Sequence, residues 1–287
     1  MGETPMPLNM IPAIRKNDDF LADVQAARRE PDKLHLWWLG QSGFLLQWQG
    51  RHVLIDPYLS DSLTAKYANT EKPHERMTER VIDPARLDFI DVVTSSHHHT
   101  DHLDADTLKP LLRASPDVAI VVPEASRDFS AERLGVDPSR LIGADAGKTV
   151  SAGGFTFTGI PAAHEKLVVD EHGRCKFLGY LVQLGPHSVY HSGDTVWHDA
   201  IVDALRGRGC DVAILPINGA VPARKVDGNL NGHEAARLAR VIGAGVAIPC
   251  HYDMFAFNTD TPDAFVAECE RTGQPFNVMR SGQRISL

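Results

Sequence analysis

An α/β fold built on mixed sheets is what this 287-residue sequence predicts, and three observations predict it. Beyond about Lys33, short apolar runs alternate with helical stretches of about ten residues, the signature of layered α/β structure. Some apolar runs come in pairs joined by tight turns, which adds antiparallel strands to an otherwise parallel arrangement. The polar residues with the most distinctive spacing lie just past strand ends, the edge where α/β folds gather their loops into sites.

Residues 1–33 read as a polar, partly helical lead-in packed on a single domain of residues 34–287. LHLWWLGQSGFLLQWQGRHVLIDPYL follows, rich in Leu, Trp and Phe and broken at glycines, so consecutive strands are expected, with Gln49-Gly50 the clearest turn. Gly43-Phe44-Leu45-Leu46-Gln47 is echoed by Gly179-Tyr180-Leu181-Val182-Gln183. Each echo leads through a turn to a second strand ending in an acid, Asp56 and Asp194. A true repeat would mean two similar half-domains; two ordinary hairpins would give the same letters. Between the hairpins DFIDVVTSS predicts a strand, DADTLKPLLRA a helix capped near Asp104, VAIVVPE a strand and SRDFSAERLG a helix. After Asp194 the order is HDAIVDALRG (helix), DVAILPIN (strand), NGHEAARLARVIGA (helix), VAIPCH (strand) and DAFVAECERTG (helix).

An apolar fraction of 43% can supply a substantial core, and a formal charge of −8 gives no electrostatic footprint for nucleic acid or an anionic membrane. A local basic pocket could still hold a small anion. The N-terminal stretch has no apolar core of secretory length, and no run approaches the roughly 20 residues of a membrane helix, so a cytoplasmic protein is expected. Cys175, Cys210, Cys250 and Cys269 are widely spaced without a C-x-x-C pair and fit a reducing compartment. They read as small core residues, although Cys250 precedes His251 and could lie near a metal.

The segment SSHHHTDHLDADTL places four histidines and an aspartate within residues 97–102, straight after an apolar run. A purification tag would sit at a terminus, and a solvated loop would have no reason for the order H-x-H-x-D-H. In an extended segment alternate side chains point the same way, and the next turn brings two more donors round. His97, His99, Asp101 and His102 are therefore candidate metal ligands. Two close metals need roughly six or seven ligands, so others should come from further strand ends. His164 in IPAAHEK, Asp194 in YHSGDT and His251 in AIPCHYD complete the candidate set. Neutral imidazole with carboxylate suits Zn, Mn or Fe, and a shared carboxylate can hold two such ions about 3.5–4 Å apart, polarising one water so that hydroxide forms near neutral pH.

This ordered set, H-x-H-x-D-H, a later His, the Gly-Asp of SGDT and a final His after a strand, resembles the metallo-β-lactamase superfamily of metal-dependent hydrolases over nearly the whole chain from Leu34. The resemblance implies a four-layer αββα sandwich of two similar halves, two mixed sheets with outer helices. It also implies two divalent ions: His97, His99 and His164 on one, Asp101, His102 and His251 on the other, Asp194 bridging, and Asp56 orienting a ligand from behind. WWLGQSGFLL, YHSGDT and IPCHYDMFAFNTD look most like the branch containing L-ascorbate 6-phosphate lactonase. That likeness implies a manganese-competent cytoplasmic hydrolase able to open a cyclic ester of a small, sugar-like substrate, and related lactonases suggest a homo-oligomer.

Under that reading a hydroxide attacks the carbonyl or phosphoryl centre, and Asp101 binds metal, orients the nucleophile and accepts its proton. Asn218, Arg224, Asp253 and Asn258 are candidate substrate contacts. Arg224 would pair with phosphate or carboxylate, or else be an ordinary surface arginine. His98, His191, His198 and His233 are candidate proton donors or ligand-orienting residues that the sequence does not rank. The polar segment 60–84 is either a substrate-covering loop or a plain surface excursion. Three alternatives stay open: phosphodiester cleavage at the same centre, diiron redox chemistry, and a metal-binding protein without catalysis. Redox members of the superfamily typically replace the second histidine of the motif with a carboxylate, so His99 favours hydrolysis.

Overall fold

The computed structural model describes residues 10–226 and 228–287. Thirteen strands among these residues form two mixed sheets, as the pattern of apolar runs predicts. The first sheet contains β1 (His35–Gly40), β2 (Gly43–Trp48), β3 (Arg51–Ile55), β4 (Val92–Thr94), β5 (Ala119–Pro123) and β6 (Leu141–Ala144). The second contains β7 (Thr149–Ala152), β8 (Phe155–Pro161), β9 (Leu178–Leu184), β10 (His187–His191), β11 (Cys210–Pro216) and β12 (Ala244–Cys250). The chain then returns to the first sheet, where β13 (Arg284–Ser286) pairs antiparallel with β1.

The echoed segments occupy equivalent places. β2 and β3 are antiparallel and are followed by parallel β4 and β5; β9 and β10 are antiparallel and are followed by parallel β11 and β12. The first hairpin turns at Gln49-Gly50, both with positive φ (50° and 74°), the backbone that matches the twist of the flanking strands.

Strand alternation explains the layers. Leu36, Trp38, Phe44, Leu46, Val53 and Ile55 face one way, into a core shared with Phe157, Tyr180, Val182, Val189 and Ile214 of the second sheet. Trp37, Leu39, Leu45 and Leu54 face the other way, against Phe20 and Val24 of α1 (Asn17–Ala27), Leu108 and Leu111 of α3 (Ala105–Ala114) and Leu134 of α4 (Arg127–Leu134). The short helix α2 is Ser62–Tyr67. On the far side of the second sheet lie α5 (Asp199–Leu205), α6 (Gly232–Val241) and α7 (Asp263–Thr272). The lead-in is tied down by α1, whose Asp23 accepts a 2.8 Å hydrogen bond from the Trp37 indole.

Helix boundaries follow local chemistry. Asp104 caps α3 as expected, Gly273 ends α7 in the left-handed conformation at φ 67°, and Asn231 with Glu234 forms a reciprocal capping box on α6. Replacing Asn231 with alanine is expected to cost about 1 kcal/mol, read as a lower denaturant midpoint with unchanged slope. Strands β6, β7 and β13 go beyond the sequence expectation. They are short edge or near-edge strands whose existence depends on a neighbour being present. Among the described residues no helix is long and apolar enough to cross a membrane.

Candidate metal centre

The candidate ligands converge where the C-terminal ends of β4, β10 and β12 meet the loop after β8. The residues after β4 differ from the expectation of an extended arm. They bend immediately and turn at His99, whose carbonyl accepts from the backbone amides of His102 (3.1 Å) and Leu103 (2.8 Å). The turn folds His97, His99 and His102 onto one another, with ring centroids of His97 4.6 Å from His99 and 4.1 Å from His102. Asp194 is delivered by Gly193 at φ 61°, where a Cβ would lie 2.7 Å from the Leu178 carbonyl oxygen and from Ser96 Cβ, so only glycine fits. His251 closes β12 and itself has φ 61°.

Two groups of potential ligand atoms result, His97/His99/His164 and Asp101/His102/Asp194/His251, with the atoms of each group within 4.8 Å of one another. Asp194 lies between them: its Oδ1 is 3.2 Å from His102 Nε2, and its Oδ2 is 3.3 Å from His251 Nε2 and 3.7 Å from His164 Nε2. Asp101 Oδ2 stands 3.7 Å from His102 Nε2 and 3.6 Å from His251 Nε2.

The rings are aimed from behind. Nδ1 of His164 donates to the Gly228 carbonyl at 2.8 Å, Nδ1 of His97 lies 3.0 Å from Ser96 Oγ, and Nδ1 of His102 lies 2.7 Å from Asp56 Oδ2. Each Nε2 is thereby turned toward the centre. Asp56, fully buried after β3, also accepts from the Ser96 amide at 2.9 Å and from the Ser96 hydroxyl. It orients His102 from behind, as its place at the end of an equivalent strand implies.

The electrostatics differ between the groups. Burial and the neighbouring His102 and His99 rings push His97 well below the usual histidine range, and burial takes His99 down to about 4. Both present neutral lone pairs. Burial opposes charge on His102 and His251 too, yet the carboxylates of Asp194 and Asp101 hold His102 well up and His251 at about 9. Against the same cost of burial, those imidazoles hold Asp101 and Asp194 low. The carboxylates and these two rings thus favour one another's charged forms, and a divalent cation would take the place of the imidazole protons. A metal also fits the bonding pattern, since His97 Nε2, His102 Nε2 and Asp194 Oδ1 are buried without a hydrogen-bond partner among the described residues.

The centre opens on a cavity of about 360 Å³. Of the expected substrate contacts, Asn258 reaches its wall. Arg224, Asn218 and Asp253 are not among the described lining residues. The Arg224 guanidinium donates instead to the carbonyls of Asn218 (2.5 Å) and Thr259 (2.6 Å), tying two loops together. Asn218 donates to Asn258 Oδ1 at 3.1 Å and accepts from Asn229 at 3.0 Å. Asp253 bends the chain after His251 at φ 54°, with its amide bonded to Thr259 Oγ1 at 2.9 Å. Arg224 is thus held by backbone carbonyls and Asn218 by neighbouring amide side chains, so that both brace the loops around the site.

Segment 60–84 covers the cavity, contributing Leu63, Lys66, Tyr67, Lys72 and His74. It is fixed to the loop after β12 by Met77 N to Met254 O (2.8 Å) and Ala256 N to Glu75 O (3.2 Å). Lys225 and Arg133 also line the wall, and neither carries a sequence signal for that role. Arg133 donates to the carbonyl of His98 at 2.5 Å and clamps the histidine turn. Gln41, inside WWLGQSG, is a further unanticipated member. Its amide nitrogen is 2.8 Å from Asp101 Oδ2 and 2.9 Å from His251 Nε2.

Of the other histidines, His98 lines the cavity and His191 Nε2 donates to Ser42 O at 2.8 Å beneath the centre, while Nδ1 accepts from the Gly193 amide at 3.2 Å. His233 lies at the surface of α6, and half-buried His198 precedes α5 away from the cavity wall. Cys250 is buried, and burial raises its thiol well above the usual range. Its sulfur is not among the clustered ligand atoms.

Two mixed sheets with an Asp/His cluster at their strand ends define a metal-dependent hydrolase of the metallo-β-lactamase type. Residues 51–252 match the family described as the beta-lactamase superfamily domain. A UPF0173 metal-dependent hydrolase of Opitutus terrae is 32% identical over 261 residues, covering 88% of this chain and 100% of the relative. The chain belongs to the metallo-β-lactamase superfamily and, within it, to the UPF0173 metal-dependent hydrolases. The fold is shared with a possible metal-dependent hydrolase of Veillonella parvula (TM-score 0.70, 18% identity, 88% of this chain and 99% of that one). It is shared also with Igni18, a metallo hydrolase of Ignicoccus hospitalis (TM-score 0.64, 22% identity, 89% and 98% covered).

Proposed function

We infer that the chain hydrolyses an ester or lactone bond in a small substrate bearing phosphate or carboxylate. The observation that carries this reading is the cavity itself, which is lined both by members of the Asp/His cluster and by Lys66, Lys72, Lys225 and Arg133. Two divalent ions, Zn, Mn or Fe, held by His97, His99, Asp101, His102, His164, Asp194 and His251 would supply Lewis acidity and a hydroxide at neutral pH.

The chain's own residues do the rest. The lysines attract an anionic group in a protein whose net charge is negative, so the attraction is local to this wall. Lys225 shares its charge with Glu71 at 3.1 Å, and Lys72 donates to the Lys225 carbonyl, which joins the covering segment to the opposite loop. Asp101, which lines the cavity, orients the attacking water and accepts its proton. Leu63 and Tyr67 exclude bulk water from the reacting centre. A phosphorylated sugar lactone combines the anionic handle with the cyclic ester, in line with the lactonase-like motifs. A cavity of about 360 Å³ is of a size for a small-molecule partner.

The test is elemental analysis of gently purified protein, followed by assays of a lactone, a phosphodiester and a β-lactam after reconstitution with Zn or Mn. Close to two metals per chain with lactone turnover is expected. Turnover confined to the phosphodiester would replace this reading with phosphodiesterase chemistry, and failure to take up metal would remove it.

A further inference from the structure

The ester reading requires a proton on the leaving oxygen when the C–O bond breaks, and the ligand residues would be committed to metal. A proton carrier should therefore stand on the wall, outside the ligand cluster, with a fixed tautomer and a rigid ring. His74 has that environment. It lies on the covering segment and shares the cavity lining with Asp101, Asp194 and His251. Its Nδ1 is 2.7 Å from the Lys72 carbonyl oxygen, and because a carbonyl only accepts, Nδ1 carries the hydrogen. In the neutral ring Nε2 is then left with its lone pair.

The ring is held on several sides. Tyr67 stacks on it with centroids 4.5 Å apart at 25°, while Phe257 at 4.5 Å and Phe255 at 4.9 Å meet it edge-on. The His74 carbonyl accepts from Thr64 Oγ1 at 2.5 Å, so the backbone is pinned as well. Fixing an imidazole with three aromatic rings and two backbone contacts restrains its rotamers, as a proton-transfer group requires.

Burial lowers the His74 basicity. The Lys72 carbonyl and the Asp101 charge work the other way, and Lys66 and Lys72 add to the lowering. Burial thus favours the neutral ring, while the Asp101 carboxylate, which lines the same cavity, favours a transient imidazolium.

We propose that His74 carries the proton of the hydrolysis to the leaving oxygen. As water adds to the carbonyl carbon its proton goes to Asp101, and only after the adduct has formed does Asp101 pass it on to His74 Nε2. As the C–O bond to the leaving group breaks, the electron pair stays on the departing oxygen and Nε2 returns the proton to it. Water and ester become acid and alcohol with no other reactant.

This proposal rests on the ester reading, and the test separates the two. Wild type and His74→Gln are compared on an alkyl ester or lactone, whose leaving oxygen needs a proton, and on a p-nitrophenyl ester, whose leaving group does not. A loss of kcat on the order of 10²-fold is expected for the poor leaving group, with the aryl ester little changed and metal content equal to wild type. An equal loss on both esters, or none on either, would overturn the role of His74 while leaving the ester reading intact. Wild type inactive on both esters would remove the ester reading and the proton carrier with it. His74→Asn, whose amide can keep the bond to the Lys72 carbonyl, must show the same leaving-group dependence if loop position is not the cause.

Discussion

Asp194→Ala is expected to reduce metal content from near two per chain to one or none and to lower hydrolysis by about 10³-fold. The carboxylate belongs to the second ligand group and also faces the first, with oxygens 3.2 Å from His102, 3.3 Å from His251 and 3.7 Å from His164. Several kcal/mol of transition-state stabilisation by bound metal would go with it, and about 4 kcal/mol corresponds to about 10³ in rate. The metal-free protein is affected as well, since Asp194 is the leading carboxylate that favours the charged forms of His102 and His251 in the interior. Elemental analysis and turnover of the same preparation provide the check; full metal content with full activity would show that Asp194 does not bridge.

Asp56→Ala should be the most destabilising single change near the site outside the proposed metal ligands themselves. It would strand the Ser96 amide and take the carboxylate from the Ser96 hydroxyl and His102 Nδ1, leaving those two only each other and His97 in a region closed to solvent. Breaking such a buried charged network costs about 3–5 kcal/mol, on the order of 10 °C in melting temperature for a chain of this size. Metal affinity should fall by about 10–100-fold, because His102 loses the partner that fixes its tautomer. A melt of metal-free protein reads the first effect and a chelator competition the second. An unchanged melt would mean that water replaces the carboxylate without cost.

The ligand set was legible because metal binding demands particular atoms, and His97, His99, Asp101 and His102 fall within six consecutive residues. His164, Asp194 and His251 were readable from their positions at strand ends, where a rigid sheet delivers side chains to one edge. The repeat was visible as two echoed hairpins, and the matching order of β2–β5 and β9–β12 gives it structural form. The wall of the cavity was much less legible. Segment 60–84 stood out, but His74 gains meaning only from Tyr67, Phe255 and Phe257, two of which lie some 180 residues away in sequence. Arg224 shows the converse, a residue suited to anions whose donors are taken by carbonyls of its own and a neighbouring loop.

The sequence by itself therefore determined the α/β class, the order of the main strands and helices and the identity of the metal-ligand candidates, because periodicity and ligand chemistry are local properties of the chain. Only the tertiary structure decided the shape of the histidine turn, the part Gln41 and Arg133 play in holding it, and which side chains face the cavity. Those outcomes depend on competition among distant groups for a limited number of hydrogen bonds and buried positions, and that competition is settled only when the two sheets close on one another.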